Sequence, residues 1–231
     1  MSFDRPLFAQ GVRAALPVIL GVVPFGMITG VAMVASGIPP LAAIIMSLVV
    51  FAGASMVATA QLLASSTPVL LVVLTTLIIN LRFMMYSASL RQHFAHAPLR
   101  FRLLLGYLTA DNVYGLMLQR FSDRPNDPGK MPFFLGAGIA IWLIWQLAVA
   151  AGALIGAGLP ASWRLEFAAP LAFIAMTVPH LRDRAMIAAA LAAGITVVAA
   201  HALPLKLSVL LAAAVGISAG MLFDRKPAAA P

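Results

Sequence analysis

The chain holds 231 residues, 62% of them apolar and only 10% charged, with a mean hydropathy of +1.01; soluble domains are nearer about half apolar, so an all-α, polytopic membrane protein is predicted instead. The net charge of +8 does not point to nucleic acid, because the basic residues are spread over short loops with no aromatic-interleaved basic face. Cysteine is absent, which removes disulfides, thiolate metal sites and cysteine nucleophiles together.

A membrane helix needs about 20 mostly apolar residues. By that criterion the segments lie near 15–36, 41–64, 69–90, 103–119, 133–157, 165–181, 185–202 and 206–223, seven clear and one more polar. Asp4 and Arg5 precede a first run that is longer than a signal-peptide core and has no clear cleavage site, so this helix is expected to be retained. The tail Ala228-Ala229-Ala230-Pro231 carries no lipidation signal.

Segment one is interrupted by Pro17, Gly21, Pro24, Gly26 and Gly30. In a bundle this density predicts either a broken helix, whose free amides and carbonyls hold a zwitterion, or a kink with close packing at Gly26 and Gly30. Segment two carries Ser47, Gly53, Ser55, Thr59 and Gln61, which serve as helix–helix glue or as part of a site.

Segment three places Asn80 and Arg82 about 12–15 Å from its end. Arg82 is either an interfacial anchor or a fork that holds a carboxylate, belonging to Asp111 or to a substrate. Asn80 is positioned to orient either one. The loop that follows holds Arg91, His93, His96, Arg100 and Arg102 with no acid, and reads as cytoplasmic. Segment four contains Asp111, nine residues from both Arg102 and Arg120, so its partner must come from another helix. An acid in such sequence is a candidate for exchanging a coupling proton, or else for a permanent ion pair.

Residues 122–131 form a solvated turn, and Trp142, Trp145 and Gln146 in segment five are interface or packing residues. Pro170, Pro179, His180, His201 and Pro204 punctuate the last segments, and no His pair has metal-ligand spacing. No metal or other cofactor is expected. Eight full crossings would leave several basic clusters outside. Letting segments two and six enter and return brings the N-terminus, the basic loop, residues 182–184 and the C-terminus to the cytoplasmic side. The crossing number is therefore expected between six and eight, with broken or re-entrant helices. Gly37-Ile38-Pro39 and Gly158-Leu159-Pro160 repeat at an offset of 121, which suggests an inverted repeat of halves 11–121 and 132–226 within one transporter domain over 1–231.

Four stretches carry a family resemblance: Pro24-Phe25-Gly26; the run from Met46-Ser47 to Phe51-Ala52-Gly53-Ala54-Ser55; Asn80-Leu81-Arg82 followed by Ser87-Ala88-Ser89-Leu90; and the acid-bearing segment four. In these the chain resembles the AzlC family of branched-chain amino acid permeases, in order and spacing over 13–121 and mainly in hydropathy beyond. Two departures stand out. Met56-Val57 replaces the family's usual Gln-Phe, and Ala110-Asp111-Asn112 replaces its Thr-Asp-Glu, so one of two adjacent acids is missing.

The resemblance implies export of valine, leucine or isoleucine across the bacterial cytoplasmic membrane, with methionine a further substrate, and a small AzlD-type membrane protein as partner. The site expected from residue chemistry comprises Pro24, Phe25, Gly26, Gly53, Ser55, Asn80 and Arg82 around the substrate, Met56 against its apolar side chain, and Asp111 for coupling to an ion gradient. Competing functions are an intramembrane serine hydrolase using Ser55 and a passive or accessory subunit. The hydrolase lacks a positioned base, so no enzyme is expected. No ATP-binding P-loop is present in the sequence.

Overall fold

A computed structural model describes residues 4–95, 97–121, 127, 129–158, 181, 183–200 and 207–224, and the described secondary structure is entirely helical. Segment six, His96, His180, His201, Pro170, Pro179 and Pro204 lie outside the described residues. The chain divides into two compact units, Met1–Ala172 and Phe173–Pro231.

The first unit contains α1 (Arg5–Ala35), α2 (Pro40–Val49), α3 (Gly53–Ala64), α4 (Val69–Phe94), α5 (Leu99–Leu108), α6 (Asp111–Phe121) and α7 (Lys130–Gly158). Helices α1, α4 and α7 are long and apolar enough to cross a membrane. Asp4 starts α1 by accepting the Leu7 amide at 3.1 Å, and the helix then runs unbroken through Pro17 and Pro24. Of the two alternatives for segment one, the close-packed helix holds and the broken one does not. Its glycines serve packing: a Cβ on Gly11 would strike the Phe133 carbonyl, one on Gly30 the Val149 carbonyl, and one on Gly152 of α7 the Met27 carbonyl. Small residues let the two backbones approach closely where lipid provides no hydrophobic drive for helix association. These contacts advance together along both helices, so α1 and α7 run parallel.

Helix α4 runs the opposite way. Its Phe94 stacks edge-on against Phe134 at 5.6 Å, and His93 Nδ1 meets Lys130 Nζ at 2.8 Å, both near the start of α7. Only 6% of its apolar window is buried, against 39% for α7, so most of its surface is left for lipid or a partner.

The remaining four helices form two re-entrant hairpins. After α1, Gly37 adopts φ +85° and the Ile38 amide donates to the Met33 carbonyl, a turn that favours glycine. Helix α2 descends from there until Ser47 meets Trp145 and Gln146, about halfway along α7. The chain unwinds at Val50-Phe51-Ala52, and α3 begins at Gly53 beside Phe25 and Trp145. Thr59 then bonds Thr76 at 3.0 Å, nearer the start of α4 than Asn80 is, so α3 climbs back to the end it came from.

From the opposite end, α5 rises until Leu108 packs on Gly138 and Tyr107 on Trp142. It breaks at Thr109-Ala110, and α6 returns through Tyr114 on Ser89 and Phe121 on Phe133. Segment four thus turns back at mid-depth, a correction to its expected full crossing. Segment two turns back as the charge argument anticipated. The visible inversion relates α1–α3 to α4–α6, each a crossing helix followed by a hairpin. The second half of the longer repeat, 132–226, includes residues outside those described.

Charge separates the two ends. Arg5, Arg13, Arg91, Arg100, Arg102, Arg120 and Lys130 outnumber Asp4 and Asp127 toward the end holding the starts of α1, α5 and α7, whereas residues 36–39 and 65–68 at the other end carry no charge. In the second unit, α8 (Arg184–Ala199) is capped by Asp183, which accepts the Met186 amide at 2.8 Å. Helix α9 (Leu207–Phe223) packs antiparallel on it, Gly216 against Ala189 and Ala193 and Gly220 against Ala189.

Candidate functional site

The hairpin tips meet at mid-depth. The Tyr107 hydroxyl, on α5, donates to the Leu48 carbonyl on α2 and accepts from Trp142 Nε1 at 2.8 Å. Helix α7 holds the first tip through a closed polar knot: Trp145 Nε1 donates to Ser47 Oγ at 3.0 Å, Ser47 Oγ donates to Gln146 Oε1 at 2.8 Å, and Gln146 Nε2 donates to the Ser47 carbonyl at 3.1 Å. Ser47 is fully buried, so this knot orients the last turn of α2. Phe25 and Phe51 flank Trp145 at ring distances of 5.5 and 6.3 Å, and a Cβ on Gly53 would lie 2.5 Å from the Phe25 and Trp145 rings. A larger residue there would have to displace the Phe25 and Trp145 rings.

Between the tips lies a cavity of about 200 Å³ lined by Val49, Val50, Phe51, Ala52, Asn80, Phe83, Gly106, Tyr107 and Thr109. It is smaller than the roughly 300–1,000 Å³ of drug-sized sites, which suits a small solute. Helix ends surround it. Val49 at the end of α2, Tyr107 and Thr109 at the end of α5 and Ala52 just before α3 line it, so it meets the partial negative charge of the two helix C-termini and adjoins the positive N-terminus of α3. Asn80 lines this cavity, and its Oδ1 is buried with no hydrogen-bond donor.

Beside the second tip, Arg82 Nη1 lies 3.1 Å from Asp111 Oδ2, the partner on another helix that the spacing required. Tyr86 donates to Asp111 Oδ1 at 2.7 Å and stacks on Tyr114 at 4.4 Å and 19°, and Tyr114 donates to Ser89 at 3.1 Å. Arg82 Nε is buried and unpaired. The two side chains are 24% and 40% exposed, at a depth where ionisable groups pair with one another or face a water-filled path. Asp111 also opens α6, where a carboxylate complements the helix dipole.

The expected residues divide into groups. Asn80 lines the cavity, Arg82 and Asp111 pair beside it, and Phe25 and Gly53 pack beneath the first tip. Ser55 is fully buried and donates to the Ala52 carbonyl at 3.0 Å, within its own tip. Gly26 faces Ala148 in the α1–α7 seam, Pro24 is exposed on α1, and Met56 is buried in the core. Sequence reasoning did not single out Tyr107, Phe51 or Thr109 as tip residues. Their signal is a hydroxyl or aromatic beside a small-residue helix start, in Phe51-Ala52-Gly53 and Thr109-Ala110-Asp111. Among the described residues no cluster of His, Asp and Glu could hold a metal.

The family described as AzlC protein matches residues 17–159, more than half of the chain. The inner membrane protein YgaZ of Escherichia coli K12 is 24% identical over 66% of this chain and 62% of its own length, so the match spans about three-fifths of that relative. An uncharacterized membrane protein of Archaeoglobus fulgidus is 26% identical over 90% of this chain and 91% of its own. No solved structure matches. Both relatives are membrane proteins by name, in line with the apolar helices of this chain.

Proposed function

The chain belongs to the AzlC family, and on that premise we propose that it exports branched-chain amino acids, working with a small AzlD-type membrane partner. The observation that carries this reading is the cavity between two re-entrant tips, because a zwitterion needs positive and negative helix ends within one small chamber. The substrate carboxylate sits on the first-turn amides of α3. Its ammonium donates to Asn80 Oδ1 and to the carbonyls ending α2, and its apolar side chain lies against Val49, Phe51 and Phe83. Asp111, held by Arg82 and Tyr86, is the group through which an ion gradient acts.

The basic end faces the cytoplasm under the positive-inside rule, which makes the end holding residues 36–39 and 65–68 the exit side of a bacterial inner-membrane protein. The hydrolase alternative has no support from Ser55, whose hydroxyl bonds its own hairpin tip. The test is efflux of labelled valine, leucine and methionine from preloaded cells expressing the chain with its partner, comparing the intact chain with Asn80→Leu. Export by the intact chain and a drop of about tenfold in Asn80→Leu, the loss of roughly one charge-assisted hydrogen bond, is expected. Equal efflux of all three amino acids with and without the intact chain would sink the reading.

A further inference from the structure

A second cavity, of about 180 Å³, opens between α4 and α5 at the basic end. Each helix contributes one stripe to it at helical spacing: Ser87, Leu90, Arg91 and Phe94 from α4, and Arg102, Leu105, Gly106 and Thr109 from α5. Gly106 and Thr109 also line the cavity between the tips. One turn of α5 is therefore the wall common to both spaces.

The chemistry of the outer cavity differs from that of the inner one. Arg91 and Arg102 are exposed at its mouth, and neither forms an ion pair among the described residues. No acid lies between positions 82 and 111 to neutralise them. Two unpaired guanidinium groups over an apolar floor that includes Phe134 attract and orient a carboxylate. The wall itself is thin: a Cβ on Gly106 would meet nothing within 4 Å.

We infer that this outer cavity is the cytoplasmic vestibule of the transport path, where Arg91 and Arg102 bind the carboxylate of the solute before it passes the Gly106–Thr109 turn to the inner cavity. The inference rests on the proposed transport of amino acids and adds to it a recruiting site with a stated chemistry. It makes the α5 turn at Gly106 the inner gate, and it makes the two arginines determinants of affinity.

The absence of cysteine in the chain provides a clean test. Gly106→Cys and, as a second variant in the same cavity, Ser87→Cys are expressed with the partner in inside-out and right-side-out vesicles, and labelled with a membrane-impermeant thiol reagent. Labelling from the cytoplasmic face only is expected for both. Valine and isovalerate, which share a carboxylate, slow labelling of Gly106→Cys, whereas valinamide does not. Adding Arg91→Gln and Arg102→Gln leaves the labelling rate in place and raises the protecting concentration of isovalerate by about tenfold or more.

No labelling of either variant from the cytoplasmic face overturns the vestibule, as does labelling that isovalerate and valinamide slow equally. Failure of the substrate reading has a different signature. The intact chain then gives no valine efflux while isovalerate still protects Gly106→Cys.

Discussion

The α1–α7 seam makes a matched pair of substitutions on one helix the sharpest test of the packing argument. Gly21 and Gly30 both lie inside α1. A Cβ on Gly21 meets nothing within 4 Å, whereas one on Gly30 would overlap the Val149 carbonyl and come within 2.6 Å of the Ala153 amide. Both changes to alanine gain the same helix propensity, up to about 1 kcal/mol. Only Gly30→Ala forces backbone against backbone, where no side chain can rotate away, and overpacking of that kind costs about 1–3 kcal/mol. The difference between the two variants is therefore about 1–3 kcal/mol, with propensity cancelling. For a chain of this size each kcal/mol moves the midpoint by about 2–4 °C, so Gly30→Ala should melt several degrees below Gly21→Ala. Thermal unfolding in detergent, followed by loss of the monodisperse species, reads this directly. Equal midpoints for the two variants would refute the close-approach explanation of the α1 glycines.

Ser47→Ala leaves Trp145 Nε1 and Gln146 Oε1 without their partner, and each orphaned group costs about 1–3 kcal/mol; a clear drop in melting midpoint is expected, and none at all would show that the knot is not what holds the first tip. Ser66 has φ +52°, a left-handed conformation that glycine adopts without strain, so Ser66→Gly should be neutral or stabilising by about 1 kcal/mol, measured by the same melt. Asp111→Asn keeps a hydrogen-bond acceptor for Tyr86 but removes the charge facing Arg82. Efflux should fall at least about tenfold, because the charge assigned to coupling is removed. Unchanged efflux would make the acid dispensable for coupling.

Much of the architecture was legible in the sequence. Apolar segment lengths marked the crossing helices, and the acid-free loop from Arg91 to Arg102 marked one end of the molecule. Pro and Gly density in segment one leaves a broken helix and a close-packed continuous one equally open, because both use the same residues. In α1 the residue before each proline keeps its helical conformation under tertiary packing, and the space beside Gly11 and Gly30 is taken by the α7 backbone. The true breaks, at Val50–Ala52 and Thr109–Ala110, contain no proline or glycine. What forces them is long-range: Ser47 tied to α7, and Tyr107 tied to Leu48 and Trp142. Segment four did carry a warning in its short apolar run and its central Ala110-Asp111-Asn112, which reads as a helix start as readily as a helix middle. Arg82 with Asp111 was legible because each needed a partner outside its own helix. Asn80 was expected at the site, but grouped with Arg82; the structure separates them, since two residues along a helix point to nearly opposite sides, and Asn80 lines the inner cavity.

The lopsided charge of the first unit also bears on how the chain comes to sit in its membrane and stay there. Residues 36–39 and 65–68, which must be carried across the bilayer during insertion, hold no ionisable group, so none of the roughly 2.5–3.5 kcal/mol penalty for a charged residue at mid-bilayer arises on that route. Turning the unit over afterwards would drag the cations from Arg5 to Lys130 the other way. With the cell interior negative, each of them works against about 2.3 kcal/mol for every 100 mV of membrane potential. The energised membrane thus acts as a ratchet on orientation.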